Sequence, residues 1–387
     1  MPSLWFVLPI AFGIVHGLLF AVLLAVRSGR RKTISDALLA GLVLAGALRL
    51  LPYVLSFLGS DVLWAQWPFL PLDTGLLIGP LFWFYLRSRT NARFHFRRSD
   101  LLHVAPWTLY AGYRLLVFSR DAEFVFQWTD RVDLPFVQPA LAVLTGLSLG
   151  YYLWRSWGLL RRYRVWLDSE FVDVEPIQLG WLRSFVLAIS VGVATAWVFG
   201  LLDLVSVRLD TLQAWWPFAI TTATLYYLSL AGFMNPQPPG IAFEDRPRER
   251  LQGPASNLPV AALLDVMATE RPYLNPSFCL DDLAALMNRP KALVSQSINE
   301  GLRTNFRGLV NAYRVDAVCE ALKHESALTL VGVAMDQGFN SKATFNRVFK
   351  QYTGVTPREY ANMTIDQRAR IPVSRPAAII PDPVATA

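Results

Sequence analysis

Seven stretches of this chain are apolar over about the 20 residues a helix needs to cross a bilayer, and no other feature narrows its folding options as much. They fall at about residues 4–26, 35–58, 70–86, 101–118, 135–154, 181–205 and 214–234. The first carries His16 as its only ionisable side chain. The third and fourth are less clean, since Asp73 interrupts one and His103 and Arg114 the other. With 53% hydrophobic and only 17% charged residues, the composition is that of a membrane protein rather than a soluble one.

Charge between the stretches gives an orientation, because cytoplasmic loops collect Lys and Arg. Alternate loops hold Arg27, Arg30, Arg31, Lys32, Arg87, Arg89, Arg93, Arg97, Arg98, Arg155, Arg161, Arg162 and Arg164, against Arg120, Arg131 and Arg208 in the other set. Thirteen against three predicts a bundle with its N-terminus outside and its C-terminal part in the cytoplasm. No basic residue precedes the first stretch and a basic cluster follows it, the order expected of a retained helix rather than a signal peptide. Topology accounts for most of the formal charge of +7, so net charge alone is no argument for nucleic acid.

Ionisable groups at membrane depth are costly and become candidate sensor residues by default. Here they are His16, Arg49, Asp73, His103, Arg114 and Asp203. Arg114 and Asp203 lie near helix ends, from which a side chain can snorkel, and Arg49 has a natural counter-ion in Asp73. Arg49, Asp73, His16 and Asp203 are the candidates for a sensor site. Retinal is excluded, since residues 33–290 contain no Lys for a Schiff base. No internal duplication of the kind transporters show is apparent.

Residues 235–257, NPQPPGIAFEDRPRERLQGPASN, break the helical pattern with Pro, Gly and charge and mark a linker. From Leu258 to residue 363 the apolar spacing of three and four is that of a soluble helical domain. Two short helix pairs stand out. In the second, Thr329 caps a helix to about Gln337, Gly338 supplies a left-handed residue, and Asn340 or Ser341 caps the next helix. There Phe345, Val348 and Phe349 share one face, leaving Lys342, Ala343, Asn346, Arg347 and Lys350 on the other. Thr356, Pro357 and Glu359 then open a further helix with a capping box.

In the first pair, one helix ends near Asn288 and Pro290 begins the next, whose Val294 and Ile298 face inward. Lys291, Ala292, Ser295, Gln296 and Asn299 are then expected outward. Between the pairs, residues 305–324 form an amphipathic helix with Leu309, Tyr313, Val315, Ala317 and Leu322 for burial, a rod of about 30 Å. A short helix, a glycine turn and a second helix with an exposed face of Lys, Asn and Arg is the arrangement that enters a major groove.

At these residues the sequence resembles the AraC/XylS family of transcription regulators. GFNSKATFNRVFKQYTGVTPREY is similar to that family's C-terminal signature, and residues 283–299 with FRGLVNAYRVDAVCEAL resemble its first helix-turn-helix unit and linking helix. The resemblance covers about residues 258–363. It implies base contacts from Lys342, Ala343, Asn346 and Arg347 in the second head and from Ala292, Ser295 and Gln296 in the first; Lys350 and Lys291, from the outward helix faces, complete the candidate DNA-binding residues. Asn288 and Pro290 depart from the Gly and Ser frequent at those turn positions. The soluble sugar-binding barrel that many members carry has no counterpart here, and a bacterial inner membrane is the implied location.

The expected architecture is therefore all-α: a seven-helix transmembrane bundle over 1–234, a linker over 235–257, a cytoplasmic domain with two helix-turn-helix units over 258–363, and a disordered tail over 364–387. The expected activity is one-component transcription regulation rather than enzyme catalysis, with double-stranded DNA, the lipid bilayer, an unknown ligand or membrane signal, and a second copy of the chain as candidate partners. Neither a cofactor nor a metal is expected, because the four His are scattered, and Cys279 and Cys319 lack metal-ligand spacing and read as reduced core residues. The alternative is an integral-membrane transporter or receptor whose helical tail binds a protein partner.

Overall fold

The computed structural model describes residues 4–57, 67–172, 180–204, 211–235, 243, 258–323 and 329–371. Among them the repeating secondary structure is helical, and Phe171 forms an isolated antiparallel bridge with Cys279. It divides into two compact units, Met1–Arg161 with Leu179–Glu244, and Arg162–Gln178 with Asp245–Ala387.

The first unit contains α1 (Leu4–Arg31), α2 (Ile34–Phe57), α3 (Gly75–Thr90), α4 (Ala105–Phe118), a short α5 (Ala122–Trp128), the start of α6 (Gln138–Glu170), α7 (Gly180–Leu204) and α8 (Thr211–Met234). A helix stands at each of the seven apolar stretches; α5 was not foreseen. By length and composition, Val7–Arg31, Ile34–Leu55 and Ala122–Glu170 suffice to cross a membrane. Helices α3 and α4, with 16 and 14 residues, fall short of the usual span of about 20. Asp73 is one reason: its Oδ1 accepts from the Gly75 amide at 2.9 Å, so the chain turns there and α3 starts later than hydropathy suggests.

Helices α1, α2 and α8 pack through small residues. A Cβ on Gly17 would lie 2.9 Å from both Ala47 and Leu225, and one on Gly232 would lie 2.1 Å from Leu39. Such close approach is how helices gain dispersion contact where no hydrophobic effect drives them together. Arg27 locks the same three helices. Its Nε and Nη2 donate to the Asp36 carboxylate at 2.8 and 2.7 Å, and its nitrogens also donate to the carbonyls of Gly232 and Phe233 at the end of α8. On α1, Leu8, Phe12, Val15, Leu19, Val22 and Val26 form an exposed stripe, while Ile10, Ile14, Ala21 and Leu24 are buried. A helix apolar all round is suited to a protein core on one side and lipid on the other.

The second unit holds α9 (Val260–Thr269), α10 (Leu280–Leu286), α11 (Lys291–Gln296), α12 (Phe306–Ala321), α13 (Leu330–Asp336), α14 (Lys342–Thr353), α15 (Pro357–Ala361) and α16 (Ile365–Ala369). Two cores form around α12. Phe306, Leu309, Val310, Ala312 and Tyr313 pack with α9–α11, whereas Val315, Val318 and Cys319 pack with α13–α15. Helix α12 is buried on most sides for that reason. It has 16 residues, about 24 Å at about 1.5 Å per residue, which is shorter than the expected rod because it ends at Ala321 with Leu322 as C-cap.

Two expected boundaries are corrected. Residues 364–371 do not belong to a disordered tail: Thr364 and Gln367 close a capping box on α16, and Arg368 donates to the carbonyls of Tyr360, Ala361 and Leu322. Residues 162–172 group with the C-terminal unit rather than with the bundle. Helix α6 runs past Trp154 because Ser156, Leu159, Tyr163 and Leu167, spaced by three and four, are all buried while Arg161, Arg162 and Arg164 are exposed. Most of the linker 235–257 and the tail from 372 onward lie outside the described residues.

Candidate nucleic-acid interface

The second helix-turn-helix forms as its caps dictate. Thr329 Oγ1 accepts from the Gly332 amide and Ser341 Oγ from the Thr344 amide, so Ser341, not Asn340, caps α14. Asn340 instead donates from its side chain to the Pro276 carbonyl at 3.1 Å. Gly338 takes φ +89°, and a Cβ there would meet the Tyr273 carbonyl oxygen at 2.4 Å, so this turn requires glycine on two grounds. Phe339 then enters the core against Phe345, with ring centroids 5.3 Å apart.

Helix α14 buries Thr344, Phe345, Val348, Phe349 and Thr353. Its opposite face exposes Lys342, Ala343, Asn346, Arg347, Lys350 and, missed in the sequence reading, Gln351. No acid stands among them. Gly354, at φ +78°, ends the helix, and the Thr356–Glu359 capping box starts α15. Hydrogen bonds from the Thr356 amide and hydroxyl hold the Glu359 carboxyl below its usual range.

The first unit is built differently at its turn. Asn288 adopts φ +48°, a conformation Asn tolerates better than most residues, in place of glycine. Pro290 is the N-cap of α11, one position earlier than expected. Ala292 and Asn299 are exposed and Gln296 is half-buried. Ser295 does not face outward as expected: it is 5% exposed. Successive helical residues advance by about 100°, and Leu293, Val294, Ser297 and Ile298 fill a buried arc whose edge reaches Ser295. The same edge draws in Lys291, half-buried, with its Nζ 2.5 Å from Glu170 Oε2 and 2.9 Å from Asp281 Oδ2. Burial pushes the Lys291 pKa down, but hydrogen bonds to the two carboxylates outweigh it and leave the pKa raised.

Arg314 fixes the two heads to one another. Its guanidinium is 1% exposed and donates to the carbonyls of Tyr273 at 2.8 Å and Asn275 at 2.9 Å, with its centre 5.9 Å from the Phe339 ring. Cys279 and Cys319 form no disulfide, and burial pushes the Cys279 thiol pKa up, away from a reactive thiolate.

The candidate sensor residues divide. Arg49 and Asp73 pair at 3.3 Å, and the Asp73 carbonyl accepts from Trp107 Nε1. His16 Nε2 lies 2.7 Å from Ser229 Oγ, with its ring against Phe20 and Tyr226. Asp203 lies on α7 but outside the described side chains. His103 bonds the Tyr152 hydroxyl at 2.6 Å. Arg114 does not snorkel: it is buried and pairs with Asp133 at 3.4 Å, whose carboxylate also accepts from Tyr113 at 2.8 Å and Gln138 at 2.9 Å. Asp133 went unnoticed in sequence because only the fold brings Arg114, Tyr113 and Gln138 to it. Among the described residues no cluster of His, Cys, Asp and Glu suits a metal ion.

Residues 283–363 match the family model described as a helix-turn-helix domain, about a fifth of the chain. The match takes in both helix pairs and α12, and it supports a DNA-binding transcription regulator of AraC type. No curated protein and no solved structure gave a match.

Proposed function

We propose that this protein is a membrane-embedded one-component transcription regulator: α1–α8 form the sensor in a bacterial inner membrane, and the second unit reads operator DNA in the cytoplasm. The observation that carries the reading is the exposed face of α14, where Lys342, Asn346, Arg347 and Lys350 stand without an acid on a helix held by a glycine turn. Arg or Lys at guanine, and Asn at adenine, are the pairings this face offers. In the first head the candidates are Ala292 and Asn299, which are exposed, and Gln296, which is half-buried. Ser295, being buried, is not among them.

Membrane embedding is supported by the exposed apolar stripe of α1, the three stretches long enough to cross, and the thirteen-to-three division of basic residues between alternate loops. A ligand or membrane state acts on DNA binding only through different affinity for two arrangements of the protein.

The test is selection of bound duplexes from a randomised pool by full-length protein in lipid nanodiscs. A recurrent motif that disappears with Lys342→Ala/Arg347→Ala is expected. Equal, motif-free recovery with both proteins contradicts the reading.

A further inference from the structure

Lys291 opens the first recognition helix, yet its charge is engaged within the protein. Of its two carboxylate partners, Asp281 is 69% exposed and Glu170 only 6%. An exposed pair contributes little, so the contact of consequence is Glu170. That residue lies outside the helix-turn-helix sequence: it is the last of the 33 residues of α6, a helix that begins in the first unit and belongs to the second from Arg162 onward.

Three further contacts seat the same segment. Asp168 Oδ1 lies 2.9 Å from Arg307 Nη1, the Phe171 backbone bridges to Cys279, and Val172 is buried in the core with Leu280 and Leu283. Together with Glu170, these touch the start of each helix of the first head: Cys279 caps α10, Lys291 begins α11, and Arg307 lies in the first turn of α12.

We infer that the end of α6 is a built-in restraint on the first DNA-binding head, in which Glu170 holds the Lys291 ammonium that DNA phosphate would otherwise take. This rests on the reading that the first head contacts DNA. Carboxylate and phosphate compete for one cation. Because Glu170 is buried, turning the Lys291 side chain toward phosphate leaves a buried carboxylate that has lost this cation, a cost that movement of the segment 168–172 relieves. By linkage, the factor by which the restraint weakens DNA binding is the factor by which DNA weakens the restraint.

The experiment measures anisotropy of a fluorescein-labelled mixed-sequence duplex with full-length protein in nanodiscs over a salt series. Glu170→Gln is expected to bind about five- to tenfold tighter, with a salt slope steeper by about 0.9, the value for one added phosphate contact. The gain is expected to vanish in Glu170→Gln/Lys291→Ala. Asp168→Asn, which loosens the segment without touching that pair, is expected to give a smaller gain and serves if Glu170→Gln does not fold. No gain from either variant, with binding still weakened by Lys342→Ala/Arg347→Ala, overturns the restraint and leaves the DNA reading standing. A gain that survives loss of Lys291 also overturns it. Binding that is absent, or indifferent to Lys342→Ala/Arg347→Ala, overturns the DNA reading and the restraint together.

Discussion

The Tyr352 hydroxyl on α14 donates to the Gly308 carbonyl in the first turn of α12 at 2.9 Å, tying the second recognition helix to the helix that joins the heads. Tyr352 also packs against both cores of the second unit. The spacing of the heads is therefore set by contacts at this junction as well as by the length of α12. Tyr352→Phe keeps the ring and removes the bond, at a cost of about 1 kcal/mol. Faster amide exchange along α12 and α14 in the full-length protein is the expected outcome, and unchanged exchange would show the bond to be idle.

Gly338 and Gly354 both have positive φ, but only Gly338 faces a wall of backbone. Gly354→Ala meets open space and is expected to cost about 1 kcal/mol, the conformational term alone. Gly338→Ala adds a clash with the Tyr273 carbonyl and is expected to exceed about 2 kcal/mol. Pulse proteolysis of the second unit within the intact protein ranks the two, and equal effects would contradict the close approach at Gly338.

Arg314→Met leaves the Tyr273 and Asn275 carbonyls without their buried donor, at an expected cost of about 3 kcal/mol for breaking charge-assisted bonds. Arg314→Lys is not expected to rescue, because an ammonium lacks the planar fork that serves both carbonyls. Full rescue by Lys would show that charge alone matters there.

Glu359 gives a pH dependence with a defined sign. Its folded pKa is depressed from the usual 4.5 by hydrogen bonds from Thr356, so the cap's contribution is complete above about pH 4.5 and fades as pH falls through the lower folded value. Amide exchange at the start of α15 is expected to quicken across that window in the wild type. In Glu359→Gln the acid dependence is expected to be lost.

Much of this was legible in sequence because it depends on local rules. That a helix stands at each of the seven apolar stretches follows from hydropathy, and Gly338, Ser341, Thr356 and Glu359 announce turns and caps by type and spacing. Helix α14 obeyed its heptad-like pattern, so Lys342, Ala343, Asn346, Arg347 and Lys350 are exposed as the sequence predicts. What escaped notice was set by tertiary contact. Ser295 lies at the edge of an arc whose width only packing decides. Lys291 meets Glu170 across 121 positions, and Asp133 collects partners from α4 and α6. Helix α6 outran its apolar stretch because residues 156–167 are amphipathic, a pattern that a search for membrane spans passes over.

The most direct measurement is chromatin immunoprecipitation with sequencing of tagged full-length protein beside Lys342→Ala/Arg347→Ala, with membrane and soluble fractions blotted in parallel. Discrete peaks from a protein found in the membrane fraction, lost in the double variant, are the predicted result. An absence of peaks across several growth conditions, or peaks that the variant retains, would contradict a membrane-embedded DNA reader.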